Sequence, residues 1–513
     1  MAAMPPLLPR IADRSAVAWL RDAAERHGER IAVDDGAVSL TYRAVWDAAC
    51  RLAAIIARVT PQDRPIAVLM PNTAHYPVAW IACLMCCRTA AFLDSLYPAE
   101  RTLQCLEVAR PGAVIALRDD AVARRLAGDL PTIAIEDAFT DAPAEDPGDA
   151  VGDGPAFIIF TSGSTGRPKG IAIGAAAALN RAATLIDSLG TSPDDAILSL
   201  IPPSALGGML NFFETFLAGA ALLKFDLRRQ SLGGLAGKRI TMLFATPALL
   251  RVIARLDLDG HVRRGLRCVQ PIGDALLQAD LRMLRGLLPP DCAILNAYGS
   301  TEALASLQWI VPDPYDRPGA KVATGYAVPG YHCMIVGPDG AAVADGEPGE
   351  LVLRSAHMSM GEWRDGALTA GPFRPDPTLP GSFIHHTGDI AVRDPDGLIS
   401  VIGRKDRQIK IRGNRIEPAE LEEALRGLTG VAQATVAALQ RGVEPDLLAF
   451  VVLAGTDSPE ARQGIADAAR RVLPDFMVPH RFVFVPDLPL LPGGKIDVQA
   501  LLDLPEAGAG SAA

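Results

Sequence analysis

Apolar residues recur at helical spacing over 16–26 and again over 42–58, which predicts two amphipathic helices early in the chain. The run 65–70 is short, apolar and bounded by turn residues, and predicts a strand. A helix over 80–87 and a strand over 91–93 follow. Alternation of this kind predicts an α/β fold, with parallel sheets covered by helices. The stretch 137–155 is rich in Asp, Ala, Pro and Gly and reads as a loop. A strongly apolar strand at 156–160 then leads into a Gly/Ser/Thr loop and another apolar run at 171–173. From 346 to 412 the pattern turns short, Gly-rich and strand-like. Near Gly403-Arg404-Lys405-Asp406 a new unit begins, with a helix at 418–428, a strand at 447–453 and a helix at 459–473. About 100 residues suffice for a small domain. The segment after Leu504, PEAGAGSAA, reads as a disordered tail, 504–513. There is no internal repeat.

Composition narrows the class. At 513 residues the chain exceeds one ordinary core, so two or more domains are expected. Hydrophobic residues make up 49% and charged residues 21%, which is globular rather than disordered. A net charge of -10 argues against nucleic-acid binding, which needs a basic footprint. Cys83 and Cys86 form a C-x-x-C, but no second pair or nearby His completes a tetrahedral set. Cys83, Cys86 and Cys87 therefore read as small buried hydrophobes. The N-terminus lacks the uninterrupted apolar core of a signal peptide. The most apolar longer stretch, 77–93, is broken by Arg88 and is short for a membrane span. A cytoplasmic protein with no membrane span is the expectation.

The strongest local chemistry is Thr161-Ser162-Gly163-Ser164-Thr165-Gly166-Arg167-Pro168-Lys169-Gly170, directly after the apolar strand. Glycines let the backbone approach an anion closely. Hydroxyls and free N–H groups donate to phosphate oxygens, and Lys169 offsets charge. A plain surface turn would not concentrate hydroxyls, glycines and two cations in this way. The loop is neither a Walker A motif nor a G-x-G-x-x-G dinucleotide loop.

This loop resembles the signature of the adenylate-forming superfamily, which includes acyl-CoA synthetases, luciferases and the adenylation domains of nonribosomal peptide synthetases. Further motifs follow in family order. Ala91-Phe92-Leu93-Asp94-Ser95-Leu96-Tyr97-Pro98 is similar to an early adenylation-domain motif. Asn296-Ala297-Tyr298-Gly299-Ser300-Thr301-Glu302 resembles the adenine and magnesium motif. Gly349-Glu350-Leu351, Thr387-Gly388-Asp389 and Gly403-Arg404-Lys405-Asp406 come next, and Gly494-Lys495-Ile496-Asp497 is last. The resemblance covers roughly residues 15 to 503.

The resemblance implies a fold and a set of roles. An N-terminal core of stacked α/β subdomains is expected over 1–403 and a small mobile α+β lid over 404–503. ATP and Mg2+ are the implied cofactors. Thr161, Ser162, Gly163, Ser164, Thr165, Gly166 and Lys169 would hold the phosphates. Glu302 would ligate the metal, next to Thr301; a lone Glu at a helix start would otherwise be a partner of the helix dipole. Tyr298 would stack on adenine, with Gly273, Asp274, Asn296, Ala297 and Gly299 around it. Asp389 and Arg404 would bind the ribose, and Asp406 would be the hinge of the lid. Lys495 would bridge the substrate carboxylate and the α-phosphate in the transition state.

The acid and the acceptor are less constrained. Adenylation domains for α-amino acids carry a Phe-Asp pair whose Asp binds the ammonium; aligned on Ala218-Gly219-Ala220, this chain has Ala205-Leu206 there. An ammonium buried without that carboxylate would be costly. The remaining aligned pocket positions are Leu206, Gly207, Leu210, Phe244, Gln270, Ile272, Ala305 and Ser306, with no charge among them. A neutral-bodied acid without an α-amine is expected: aryl, alicyclic or short acyl. After Asp497 the sequence continues for 16 residues, so acyl transfer is expected in trans. The candidate acceptors are the phosphopantetheine of a free carrier protein, CoA and, third, an amine. Two other readings stand beside these: a stand-alone domain activating α- or β-amino acids, and a nucleotide-binding sensor that has lost catalysis. A metabolic kinase would differ in releasing ADP.

Overall fold

The computed structural model describes residues 6–60, 64–149, 152–161, 167–226, 230–256, 260–405, 409–441, 444–489 and 496–508. Its contacts divide the chain into two compact units. One comprises Met1–Ser95, Cys105–Phe160 and Gly170–Lys405, and the other Leu96–Gln104, Thr161–Lys169 and Asp406–Ala513.

The first unit is organised by two large sheets. In one, Ala221–Lys224, Ala196–Ser199, Met242–Ala245, Cys268–Pro271 and Ala293–Ser300 form a largely parallel array. Leu304–Ile310 and Tyr326–Ala327 extend one side antiparallel, and Ile31–Asp34 with Ser39–Thr41 closes the other. In the second sheet, Ile66–Met70 pairs in parallel with Ala90–Asp94 and Ala113–Ala116, while Phe157–Thr161 lies beyond Ala90–Asp94. These strands are apolar on both faces, as parallel strands covered by helices must be. Neighbouring residues accordingly enter different cores: Ile197, Leu222 and Met242 face one cluster, and Leu198, Leu223 and Leu243 the other.

The larger cluster draws on both sheets, so the helices Ala16–Arg26, Tyr42–Val59, Tyr76–Met85, Ala175–Leu189 and Leu206–Ala218 lie between them. Its centre is aromatic. Trp80 meets Phe212 edge-on at 4.4 Å, and Phe92, Phe157 and Phe213 surround them. Ser15 and Thr41 cap two of these helices, accepting from the backbone N–H of Ala18 and Ala44. A third sheet, Tyr331–Val336, Gly349–Ser355, Phe383–Arg393 and Ile399–Arg404, supplies the short Gly-rich strands expected over 346–412.

The second unit is α+β. Val431–Arg441, Glu444–Leu453 and Arg481–Phe484 form its sheet, with the helices Pro418–Arg426 and Pro459–Val472 packed by Leu421, Leu425, Ile465 and Ala469. Within it Arg101 forms a buried ion pair with Glu420.

Three expectations need correction. The helix expected over 80–87 is Tyr76–Met85: Pro77 opens it, a position proline favours, and Cys87 leaves it in left-handed geometry at φ 51°. Cys83 is buried and its thiol pushed well above the ordinary value by burial, but Cys87 is exposed rather than a buried hydrophobe. The disordered tail expected over 504–513 does not hold for its first residues. Pro505–Gly508 forms a helical turn, Ala507 is buried, and Arg481 Nη1 donates to Ala507 O at 3.1 Å. Among the described residues no helix is long and apolar enough to cross a membrane.

Candidate active site

Asp389 is the hub of the most ordered polar cluster. It lies in Phe383–Arg393 opposite Arg404 in antiparallel register. Arg404 Nη1 donates to Asp389 Oδ1 at 2.8 Å and to Thr387 O at 3.3 Å. The Tyr298 hydroxyl reaches across from Ala293–Ser300 and donates to Asp389 Oδ2. Gly388 has φ 72°, a left-handed conformation that glycine takes without strain, and so turns Asp389 into the cluster. Burial, and then the adjacent Asp389 charge, push the Tyr298 phenol well above its ordinary value, so it stays a donor. Each oxygen of the Asp389 carboxylate keeps a further lone pair. Two acceptors at fixed spacing suit a vicinal diol.

The chain after Arg404 remains tied to this sheet. Lys405 N–H donates to Gly388 O at 2.7 Å, and its ammonium to Glu350 Oε2 at 3.4 Å. Burial alone would raise the Glu350 carboxyl. The Lys405 bond, the Gly388 N–H and the Lys405 and His386 charges outweigh it and hold Glu350 below its ordinary value.

Glu302 does not open a helix. Ala293–Ser300 and Leu304–Ile310 form an antiparallel hairpin, with Thr301, Glu302 and Ala303 in its turn. The turn closes too tightly for a side chain at 299: a Cβ on Gly299 would lie 1.9 Å from Leu304 O. Ala303 N–H donates to Ser300 Oγ at 3.2 Å, and Tyr331 Oη donates to Ala303 O at 2.8 Å. Ser359 N–H donates to Glu302 O, and the next residue, Met360, donates to Ala172 O. Glu302 is thereby fastened beside the strand that leaves the Gly/Ser/Thr loop, and is 3% exposed.

Thr161 ends the strand that enters that loop, and its buried Oγ1 has no partner among the described residues. An orphaned hydroxyl there fits a site that receives phosphate oxygens. Lys169 opens the following strand. Ser162, Gly163, Ser164, Thr165, Gly166, Asp406 and Lys495 lie outside the described residues. Among the described residues no group of three or more His, Cys, Asp or Glu could hold a metal ion. Glu302 offers one carboxylate to a magnesium ion, to which nucleotide phosphates would add oxygens.

The expected acid-facing positions gather at the carboxyl ends of the parallel strands, where open α/β sheets place their ligands. Phe244 pairs in register with Gln270, and Ala305 with Gly299. Ile272 follows Cys268–Pro271, next to Gly273 at φ 93° and Asp274. A Cβ on Gly207 would lie 3.3 Å from Ile272 Cγ2 and 3.4 Å from Ile201 Cγ2, so the start of Leu206–Ala218 abuts this edge. Leu210 and Phe244 are buried, and so are Gln270 and Ser306, whose Oε1 and Oγ have no partner among the described residues. Ala297 pairs with Gln308 across the hairpin. Asn296 is a strut: its Nδ2 donates to Ala323 O at 2.8 Å.

Sequence reasoning missed Thr387 as a support of Asp389, and it missed two buried charges, Arg181 and Glu214. Both were marked by polarity: an Arg in the small-residue helix Ala175–Leu189 and a Glu inside the apolar run Phe212-Phe213-Glu214-Thr215-Phe216.

Comparison with known proteins gives the class first. A model of the AMP-binding enzyme matches residues 20–363, and one of the AMP-binding enzyme C-terminal domain matches 420–495. The chain belongs to the AMP-binding enzyme family, within the adenylate-forming superfamily. It is 33% identical to phosphinothricin tripeptide synthetase PhsC of Streptomyces viridochromogenes, over 94% of this chain and 44% of that protein. It is 31% identical to novobiocin biosynthesis protein H of Streptomyces niveus, over 97% of this chain and 84% of that one. The chain thus spans less than half of the first of these relatives. Its fold matches o-succinylbenzoate CoA synthetase (MenE) from Bacillus subtilis, solved with a product analogue, with a TM-score of 0.80 at 22% identity, over 95% of this chain and 98% of that one.

Proposed function

We propose that this protein activates a carboxylic acid lacking an α-amine as its acyl-AMP and passes the acyl group to a thiol, that of a carrier-protein phosphopantetheine or of CoA. The observation that carries the nucleotide half is the Tyr298–Asp389–Arg404 cluster, a fixed carboxylate with two acceptor positions to spare. Asp389 receives the ribose hydroxyls, and Arg404 and Tyr298 hold its carboxylate in place. The Tyr298 ring, with Gly299 and Ala297, backs the adenine. Thr161 and Lys169 donate to the phosphates. Magnesium, when bound at Glu302, neutralises phosphate charge.

In the first step a carboxylate oxygen of the acid attacks the α-phosphorus. The bond to the bridging oxygen of the β-phosphate breaks, and pyrophosphate leaves with that electron pair. Lys495 offsets the negative charge that gathers between carboxylate and α-phosphate. In the second step a thiol sulfur attacks the acyl carbon, its proton is lost, and AMP departs. Residues beyond Lys405 act as the lid that presents first Lys495 and then the acceptor channel. The absence of an α-amine rests on Ala205-Leu206, which offers no carboxylate where an ammonium would need one.

The test is hydroxylamine-trapped pyrophosphate release with Mg-ATP over aryl, alicyclic, short acyl, β-amino and α-amino acids. Pyrophosphate and AMP with acids lacking the α-amine are expected. ADP as the nucleotide product, or a preference for free α-amino acids, would overturn the reading. The active acid is then offered to CoA and to a phosphopantetheinylated carrier to identify the acceptor.

A further inference from the structure

Arg181 projects from the helix Ala175–Leu189 into the interior and is 3% exposed. Its Nη1 donates to Gln308 Oε1 at 2.6 Å, while Nε and Nη2 meet no acceptor among the described residues. Those two nitrogens form the side edge of the guanidinium, whose parallel N–H bonds match the two oxygens of a carboxylate. The protein uses that same edge elsewhere, as two of its less exposed ion pairs illustrate. Arg251 holds Asp280 through Nε and Nη2 at 2.7 and 2.8 Å, and Arg267 holds Asp195 at 2.7 and 2.8 Å. At Arg181 the edge is buried and hydrogen-bonds no carboxylate among the described residues, although the Glu214 charge acts on it. An arginine stays charged in such a place, since burial lowers it only to about 10.

The surroundings connect Arg181 to the acid site. Gln308 and Ser306 occupy one face of Leu304–Ile310, because side chains alternate along a strand. Ser306 is fully buried with its hydroxyl unpartnered among the described residues, and it is one of the positions aligned with the acid-facing wall. From the neighbouring helix Leu206–Ala218, Glu214 adds its charge, fully buried. Its Oε1 accepts from Thr191 Oγ1 at 2.9 Å, and Oε2 is unpartnered among the described residues. Burial raises the Glu214 carboxyl to about 7, against the Thr191 bond and the Arg181 charge, so near neutrality it only partly offsets the guanidinium.

We infer that the acid is a dicarboxylic acid, one carboxylate being adenylated while the other is received by the Nε–Nη2 edge of Arg181 beside the Ser306 hydroxyl. The inference rests on the adenylation reading and replaces the neutral-bodied acid expected from the aligned positions. Charge balance supports it: a bound carboxylate neutralises Arg181, and Glu214, then facing a second anion, takes up a proton and becomes a donor through Oε2.

The experiment compares matched acids on the full chain by pyrophosphate release with Mg-ATP: pentanoate against glutarate, hexanoate against adipate, benzoate against isophthalate. The best diacid is expected to exceed its monoacid partner in kcat/KM by roughly 10- to 100-fold. Arg181→Met should erase that advantage by raising KM for the diacid, leave monoacid turnover near the parent level, and so invert the preference. The double variant Arg181→Met/Glu214→Gln keeps the helix pair free of unbalanced charge and should show the same inversion if the single variant folds poorly. Turnover of monoacids with no diacid advantage, or an advantage that survives both variants, overturns the inference and leaves adenylation standing. Silence with every acid overturns both.

Discussion

Replacing Asp389 with Asn tests the nucleotide site with little disturbance of the fold. Asp389 accepts from Arg404 Nη1 at 2.8 Å and from the Tyr298 hydroxyl, and its side chain is 8% exposed against 17% for Arg404. An amide of the same size keeps Oδ1 for Arg404. Its Nδ2 can donate to Tyr298, whose hydroxyl rotates to accept. The variant loses the second acceptor for ribose, and the hydrogen bond to Arg404 ceases to be ion-paired. Hydrogen bonds to charged groups are worth roughly 1.5–3 kcal/mol and neutral ones roughly 0.5–1.5. Weakening the two internal bonds should therefore cost about 2 kcal/mol of stability, discounted for the partial exposure of Arg404. Losing one charge-assisted bond to ribose should raise KM for ATP by roughly 10- to 100-fold. The assay is ATP–pyrophosphate exchange at saturating acid, with 2′-deoxy- and 3′-deoxy-ATP run on both proteins. The parent should penalise at least one deoxy analogue, and the variant should discriminate less. A KM within twofold of the parent, or an unchanged penalty for both analogues, would refute the ribose role of Asp389.

Other outcomes follow from the same site and core. Lys495→Ala should cripple acyl-AMP formation while leaving ATP binding by calorimetry nearly unchanged; near-normal adenylation would remove Lys495 from the mechanism. Gly207→Leu adds bulk where a Cβ already meets Ile272 and Ile201 at 3.3 and 3.4 Å, so it should abolish acid activation yet spare ATP binding, and unimpaired turnover would move the acid elsewhere. Lys224 is 2% exposed, its ammonium is unpartnered among the described residues, and burial lowers it from 10.5 to about 7. Between those values the unfolded chain binds more protons, so the stability tied to Lys224 is present above its unfolded value and is lost as pH falls toward 7. Lys224→Met should then be stabilising near pH 7 by on the order of 3 kcal/mol, with the gain shrinking toward pH 10. Urea midpoints that run parallel for both proteins across that range would exclude the effect.

The sequence carried more of the early helices than of the assembled site. Periodicity located Ala16–Arg26 and Tyr42–Val59 because each lays one apolar stripe on the core and opens on a capping hydroxyl. The partnerships that make the large sheet were not legible. Ile31–Asp34 lies beside Ala221–Lys224, and no local pattern encodes a pairing across some 190 residues. The motif residues were visible one by one, but the Tyr298–Asp389 bond spans 91 positions and its hub emerged only from the fold. The alternative to a metal ligand at Glu302 was a helix start, where an acidic residue is favourable. The hairpin prevailed because Gly299 allows Leu304 O to approach where no side chain could stand. Arg181 escaped notice because its importance lies in the hydrogen bonds it does not make, which only burial reveals.

The double anchorage of Arg404 and Lys405 has a mechanical consequence. Both side chains and the Lys405 amide are moored to the strand bearing Gly388 and Asp389 or to its neighbour at Glu350, and the division between the two compact units falls immediately after them. Any swing of the second unit must be absorbed beyond Lys405. On the ribose role proposed for Asp389, the grip on the nucleotide sugar would belong to the frame and not to a moving arm, and AMP would stay seated while the machinery around its acyl group is exchanged.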